Sequence, residues 1–429
     1  MNILFISAYV PSRIRVRSYS FIKALARRGH QITLVCGATT DDSAAIDELQ
    51  QICHRVVAVE VSKSQMIANA LRALPGELPF QAALSSGPPL LGAVQYEVMN
   101  HQYDVAHIEH LRAAALSAAL QGLPTVLDAV DSISLLFERA FRHNPGFKSR
   151  AMALLDLART RRYEANYTIR YDQVLVSSPE DAWALRELTR FADGEVALDT
   201  LHVVANGVDL DYFQPQSVER LPETLVFSGK MSYHANSAAA LFLAQEIMPL
   251  VWAQRPDVKL TIAGSAPPRE IQALSTDPRI AVTGYVADLR PHLAQATLAV
   301  TPLRYGVGIQ NKVLEAMAMA TPVVAARQVT QALQTQENCD LLLAQEAPEY
   351  AHAILALLDD TSLRLLLGRA GRRYVERYHN WDSAAAHLET LYTAAMGAPA
   401  HPVATPPAAL PVDEKMLEVG SARPLVSAS

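Results

Sequence analysis

Two α/β domains in tandem, each a doubly wound parallel sheet, are what this sequence predicts, and three observations carry the prediction. Short β-branched or aliphatic runs alternate with stretches of helical spacing, the pattern of βαβ units. The alternation runs to about residue 205 and starts afresh near residue 223. Between the two series lies Asn206-Gly207-Val208-Asp209-Leu210-Asp211-Tyr212-Phe213-Gln214-Pro215, a turn and then an extended, proline-bearing segment. A chain of 429 residues is long enough for two or three domains, each with its own core.

The first series of strands is expected at Ile3–Ser7, Ile32–Cys36, Val56–Val59, Val105–Ile108, Thr125–Leu127, Val174–Val176 and His202–Ala205. The second is expected at Leu225–Ser228, Lys259–Ala263, Ile280–Thr283, Leu298–Val300, Pro322–Ala325 and Leu341–Leu343. Turn residues such as Arg28-Gly29-His30 and Arg255-Pro256-Asp257 bound them. The expected organisation is an N-terminal domain over residues 1–205, a hinge over 206–222 and a C-terminal domain over 223–378. A last amphipathic helix follows within 379–396, needing a surface to cover, and an Ala- and Pro-rich tail over 397–429 reads as disordered. Open parallel sheets place ligands at the carboxyl ends of their strands, so two such sheets face to face make a cleft.

Composition narrows the function. A net charge of −6, from 37 basic and 43 acidic residues, argues against wholesale binding to nucleic acid. Three scattered cysteines, Cys36, Cys53 and Cys339, exclude a disulfide scaffold or a cysteine zinc site and suit a reducing cytosol. No apolar run approaches the ~20 residues of a membrane span, and Met1-Asn2-Ile3-Leu4-Phe5-Ile6 reads as a first strand, not a secretion signal. The expected location is the cytoplasm. Residues 139–170 hold eight Arg/Lys against two acidic residues, a segment that fits the inner face of an anionic plasma membrane.

The most informative segment runs from Thr301 to Val324. A buried strand ends near Pro302, a turn bearing Gly306 and Gly308 follows, and a helix begins near Gln310. Glycines let a backbone approach a ligand closely, and exposed amides at a helix start attract an anion such as a diphosphate. Glu315, one turn in, can accept two hydrogen bonds from a vicinal diol such as a ribose. Lys312 lies one turn earlier on the same face.

The run Gly308-Ile309-Gln310-Asn311-Lys312-Val313-Leu314-Glu315-Ala316-Met317-Ala318, with Pro322-Val323-Val324, resembles the donor-site signature of retaining GT-B glycosyltransferases, family 4 in particular. Asn206-Gly207-Val208-Asp209, with Phe213 and Pro215, is similar to that family's interdomain hinge, and Leu25-Ala26-Arg27-Arg28-Gly29-His30 to its first helix end. The resemblance covers about residues 1–395, and within the family it is nearest to sugar transferases of exopolysaccharide clusters. It implies a GT-B fold, two Rossmann-like domains across a cleft. The implied activity is metal-independent, cofactor-free transfer of a hexosyl group from a nucleotide-sugar to a lipid-linked or polysaccharide acceptor, with retention and without a covalent enzyme intermediate.

Carried over by position, Glu315 matches the glutamate that holds the ribose. Eight residues earlier, where a first glutamate usually meets the sugar, stands Val307, so Arg304, Gln310 or Asn311 would substitute. Gly229-Lys230 fits the first half of the family's diphosphate-binding pair, but position 235 is Ala where the second Lys is expected, with His234 and Asn236 flanking it. Lys312 would supply that charge. The implied donor residues are therefore Gly229, Lys230, Asn236, Arg304, Gly308, Ile309, Gln310, Asn311, Lys312 and Glu315. On the acceptor side, Arg13, Arg15 and Arg17 at alternate positions would face one way if their loop is extended, ready for a phosphate-bearing acceptor. His110 would line the cleft, and Asp131 is the candidate base on an acceptor hydroxyl, beside Lys230 and Glu315 as catalytic groups. Two other readings share the architecture: a nucleotide-sugar epimerase, which needs acid and base groups facing the sugar, and a non-catalytic partner subunit, which the departures at Val307 and Ala235 would suit.

Overall fold

The computed structural model describes residues 1–397 except 14, 74–75, 86, 121, 144–146, 193, 195–197, 305–308, 329–332, 334 and 336–338. The expected tail beyond Gly397 lies outside the described residues. Seven strands form the first sheet: β1 (Asn2–Ser7), β2 (Gln31–Ala38), β3 (Arg55–Glu60), β4 (Val105–Glu109), β5 (Thr125–Val130), β6 (Gln173–Val176) and β7 (Leu201–Val203). They are parallel throughout, in the order β3-β2-β1-β4-β5-β6-β7. Six more form the second: β8 (Thr224–Ser228), β9 (Lys259–Ala263), β10 (Ile280–Gly284), β11 (Leu298–Thr301), β12 (Val323–Ala326) and β13 (Leu342–Ala344). This sheet is also parallel, ordered β10-β9-β8-β11-β12-β13. Each strand lies within a few residues of its expected place.

Both faces of each sheet are covered, which is why strands such as β1 are continuous apolar runs, and why the polar residues of β4 and β5, His107, Glu109 and Asp128, are buried too. Along β1, Leu4 and Ile6 face one core with Ile108 and Leu127, while Ile3 and Phe5 face another with Val105 and Val126. That second core is completed from the far end of the chain. The helix Trp381–Gly397 lays Trp381, Leu388, Leu391 and Tyr392 against the first sheet's layer, all nearly fully buried. At ~1.5–3 kcal/mol for each large apolar side chain, this helix contributes heavily to the N-terminal half despite its position in sequence.

The chain therefore crosses between the sheets twice, and the two crossings run side by side. Val208 N–H donates to the His379 carbonyl (2.8 Å), and a ring nitrogen of His379 bonds the Asn206 carbonyl (2.7 Å). Gly207 sits under the indole of Trp381, where a Cβ would come within 2.8 Å of the ring. Downstream, Asp209 takes the Lys23 ammonium at 2.9 Å and Asp211 pairs with Arg27. The hinge is thus fastened to the first helix, Val16–Arg27.

That helix corrects one sequence expectation. The segment carrying Arg13, Arg15 and Arg17 is not an extended loop, because helix begins at Val16 and turns Arg17 inward. Arg17 is 6% exposed; its Nε donates to Asp128 (2.7 Å), and one terminal nitrogen donates to the Val204 carbonyl (2.8 Å) and the Asn206 side chain (2.7 Å). Its charge is consumed inside the protein and does not face an acceptor.

In each sheet the strand order reverses once, between β1 and β4 and between β8 and β11. A crevice opens at the carboxyl ends of the strands at such a reversal. Those two places position the site.

Candidate functional site

Strand β8 ends at Ser228, and Gly229 follows with φ +153°, a conformation side chains disfavour. The turn is pressed against the equivalent turn after β9. A Cβ on Gly264 (φ +147°) would stand 1.8 Å from the Gly229 carbonyl oxygen, so backbone packs directly on backbone. Gly264→Ala is expected to cost about 1–3 kcal/mol of stability through strain and overpacking, and to weaken donor binding by displacing the Gly229 turn. Thermal unfolding and donor titration of the variant check both. An unchanged Tm would show that the two turns have room to part.

From the next helix, His234–Phe242, Asn236 reaches back into this turn. Its amide nitrogen donates to the Lys230 carbonyl (2.9 Å), and its amide oxygen accepts from the Lys312 ammonium (2.7 Å). Lys312 and Glu315 sit three residues apart on the helix Asn311–Ala318, which starts just beyond β11 across the reversal from β8. Both side chains are half-buried. Burial lowers the Lys312 ammonium to about 8, with Glu315 opposing the shift. Burial raises the Glu315 carboxyl to about 7, with Lys312 opposing it. The pair is thus poised near neutrality, with each partner's charge partly restoring the other's.

The remaining donor-side candidates divide. Lys230 is exposed on the same turn. Gln310 occupies the N-cap position, Ile309 is buried, and the Asn311 side chain accepts from Asn206 of the hinge at 3.3 Å. Arg304 does not join the group. Its guanidinium lies 4.9 Å over the Phe242 ring and 3.8 Å from Glu246, at the other end of the helix that carries Asn236, where a ring face and a carboxylate satisfy it. Gly308 and Val307 lie outside the described residues.

Across the gap, the ends of β1 and β4 carry a group that the sequence did not single out. Glu109 is buried at the end of β4, accepting from the Ser7 hydroxyl (2.9 Å) and the Tyr9 phenol (3.2 Å), and burial raises its carboxyl to about 7. A lone carboxylate at a strand end carries no sequence signal of its own. The next residue, His110, has φ +68°, a strained conformation of the kind that gathers at functional sites. Its Nδ1 accepts from the Arg112 backbone N–H (3.2 Å), which assigns its proton to Nε2. Burial, aided by Arg112, pushes its pKa down to about 3, so His110 is a neutral hydrogen-bond donor. After β5, Val130 has φ +67° and sets Asp131 against the Ser177 hydroxyl (3.0 Å). Burial and neighbouring Asp181 raise the Asp131 carboxyl to about 7.

Two of the predicted acceptor-side arginines are partnered at the surface. Arg13 pairs with Glu48 (2.7 Å) and lies over the Tyr212 ring, while Arg15 covers the Tyr9 ring at 4.6 Å. Arg15 therefore shields the phenol that bonds Glu109. Asp209 and Asp211, whose spacing would suit a cation, are engaged by Lys23 and Arg27.

Comparison with known proteins agrees with this geometry. A model described as glycosyltransferase family 4 matches residues 14–212, and one described as glycosyl transferases group 1 matches residues 222–360. Sucrose-phosphate synthase from Thermosynechococcus elongatus superposes with a TM-score of 0.67 at 18% identity, over 92% of this chain and 98% of that one. HepE from Anabaena, solved in complex with UDP and glucose, gives 0.65 at 16% identity over 92% and 100%. A glycosyltransferase from Rickettsia africae gives 0.63 at 12% identity over 93% and 99%. No curated protein sequence matches this one. At such identities the likeness is one of fold.

Proposed function

We propose, from the premise that the chain belongs to the GT-B glycosyltransferases of family 4 and group 1 and acts on a nucleotide-sugar donor, that it is a retaining hexosyltransferase. The acceptor is a hydroxyl of a lipid-linked saccharide or growing polysaccharide, in the making of a bacterial exopolysaccharide or cell-surface glycan. The observation that carries the reading is the Lys312 ammonium, held by Asn236 beside Glu315 where the order of the second sheet reverses. A nucleoside diphosphate-sugar needs positive charge at its diphosphate as the bond to the sugar breaks. Lys312, Lys230 and the positive end of the Asn311 helix supply it there. Glu315 accepts from the ribose diol, whatever the base. His110 donates from Nε2 to a sugar hydroxyl, and Asp131, with its raised pKa, takes the acceptor proton.

We infer that the reaction takes place in the cytoplasm, at the inner face of the plasma membrane. Among the described helices none is long and apolar enough to cross a membrane. The basic segment 139–170 would supply the attraction, although Arg161 and Arg162 are paired with Glu138 and Glu77, and Arg139 with Glu180.

Purified protein supplied with UDP-glucose and a lipid-linked saccharide tests the reading, the donor being chosen because HepE was solved with UDP and glucose. Proton NMR of the product is expected to show the donor's anomeric configuration. An inverted product overturns retention, and an epimerised sugar nucleotide formed without acceptor overturns transfer.

The pH profile offers a second check. Donor capture needs Glu315 ionised and Lys312 protonated, which coexist in the free enzyme between about 7 and about 8. Plotted as kcat/KM, activity is expected to fall below pH 7 as Glu315 takes a proton and above pH 8 as Lys312 loses one. A flat profile across that range would exclude the pair from donor capture.

A further inference from the structure

At the opposite, amino-terminal end of the second sheet lies a groove of about 820 Å³, lined by six arginines and one glutamate. It opens beside the residues that precede β8, β11 and β12, namely Glu223, Thr297 and Pro322, so it is separate from the donor crevice. Two of the arginines are neutralised: Arg255 by Glu223 and Asp359, and Arg372 by Glu376. Among the described residues, no carboxylate lies within ion-pair distance of the other four, Arg220, Arg364, Arg369 and Arg373.

Their roles differ. Arg220 is half-buried and spends its donors on neutral oxygens, including the carbonyls of Ala296 (2.6 Å) and Ala320 (2.9 Å) and the Thr321 hydroxyl (3.2 Å). Burial and the charge of Arg364 push its pKa down, the mark of a cation whose surroundings lack an anion. Arg364 is likewise tied to the Leu358 carbonyl (2.9 Å) and the Thr361 hydroxyl (2.7 Å). Arg369 and Arg373 stand exposed at the mouth, one turn apart on the helix Thr361–Tyr378. Val218, Met319 and Leu365 give the groove an apolar wall. Two guanidinium groups tied in place, with two more exposed at the mouth beside apolar surface, suit one chemistry above others, because planar forks bind phosphoryl oxygens in pairs.

We propose that this groove binds a phosphoryl ester, its phosphate held by Arg220, Arg364, Arg369 and Arg373 and its apolar part laid against Val218 and Leu365. The volume lies in the range of small-molecule sites and exceeds what a bare phosphate fills. The ester is either a soluble metabolite or a lipid headgroup, and the two sources are separable by experiment.

Inorganic pyrophosphate titrated into full-length protein carrying Lys312→Ala, which weakens the donor turn's hold on a diphosphate, probes the groove, and charge reversal at the groove separates its share from any binding left at that turn. Sedimentation with phosphatidylcholine vesicles, with and without phosphatidylglycerol, probes a headgroup. Arg369→Glu with Arg373→Glu, both at exposed positions, is expected to weaken whichever interaction occurs by roughly tenfold or more, and lysine at both positions to restore part of it. Pyrophosphate binding that responds this way indicates a soluble ester, and phosphatidylglycerol-dependent sedimentation that responds indicates a lipid. Binding of neither probe, or binding indifferent to the charge reversal, overturns the proposal and leaves the donor-site reading untouched.

Discussion

Arg17→Met is expected to remove about 3–5 kcal/mol of stability, the cost of stranding a buried charge. The pair it breaks is 5% and 1% exposed, and the lost guanidinium also leaves the Val204 carbonyl and the Asn206 side chain without their donor. For a domain of this size the loss corresponds to a fall in Tm of roughly 6–20 °C, read on the transition of the N-terminal half. The sign of a second substitution discriminates the cause. If the penalty comes from the stranded Asp128 carboxylate, adding Asp128→Asn to Arg17→Met recovers stability, although Asp128→Asn alone destabilises. A double variant that is simply the sum of the two singles would show that Arg17 acts by packing. The effect should also reach the donor side, since Asn206, released from Arg17, is the residue that bonds Asn311 at the start of the Lys312 helix.

Why Arg17 was misjudged shows what a sequence exposes. Arg13, Arg15 and Arg17 alternate, and alternation reads as one face of an extended loop; Val16, β-branched, is a poor helix opener by propensity. What turns Arg17 inward is Asp128, 111 positions away, and no local pattern encodes that distance. The strands were legible because burial on both faces demands continuous runs such as Ile3-Leu4-Phe5-Ile6, a demand met within a few residues. The candidate site was legible in its parts for a similar reason. A turn, a helix start and a carboxylate one turn in are local, so Lys312 and Glu315 stood out, whereas Gly229 and Lys230 come only from the resemblance to the family. The contact that joins them did not stand out. Asn236 is among the implied donor residues only through its place beside Ala235, and nothing local shows that it bridges the two loops from 76 residues away from Lys312. Glu109 and Gly264 were invisible for the same cause: a strand-end carboxylate and a glycine after a strand are common, and only the neighbours Tyr9 and Gly229 give them meaning.

Lys312→Ala is expected to lower kcat/KM by about 10²–10³, the range for removing one preorganised donor at developing charge, or ~2.7–4 kcal/mol. The corresponding loss for Lys230→Ala should be smaller in the free enzyme, because Lys230 is exposed and its charge screened, whereas the Lys312 ammonium is held half-buried by Asn236. Glu315→Gln should cost a comparable factor through lost ribose contact, but the two losses should not add. With Lys312 gone, the one charge that holds the Glu315 carboxyl down is absent and its pKa moves further above about 7, so at neutral pH the carboxyl is largely protonated already. Replacing it by glutamine then changes little, and the double variant should resemble Lys312→Ala alone. Steady-state kinetics of the four proteins at pH 7.5 close the cycle. Additive losses would mean that lysine and glutamate meet the donor independently, and would remove the electrostatic coupling from the account of how this cleft holds a diphosphate.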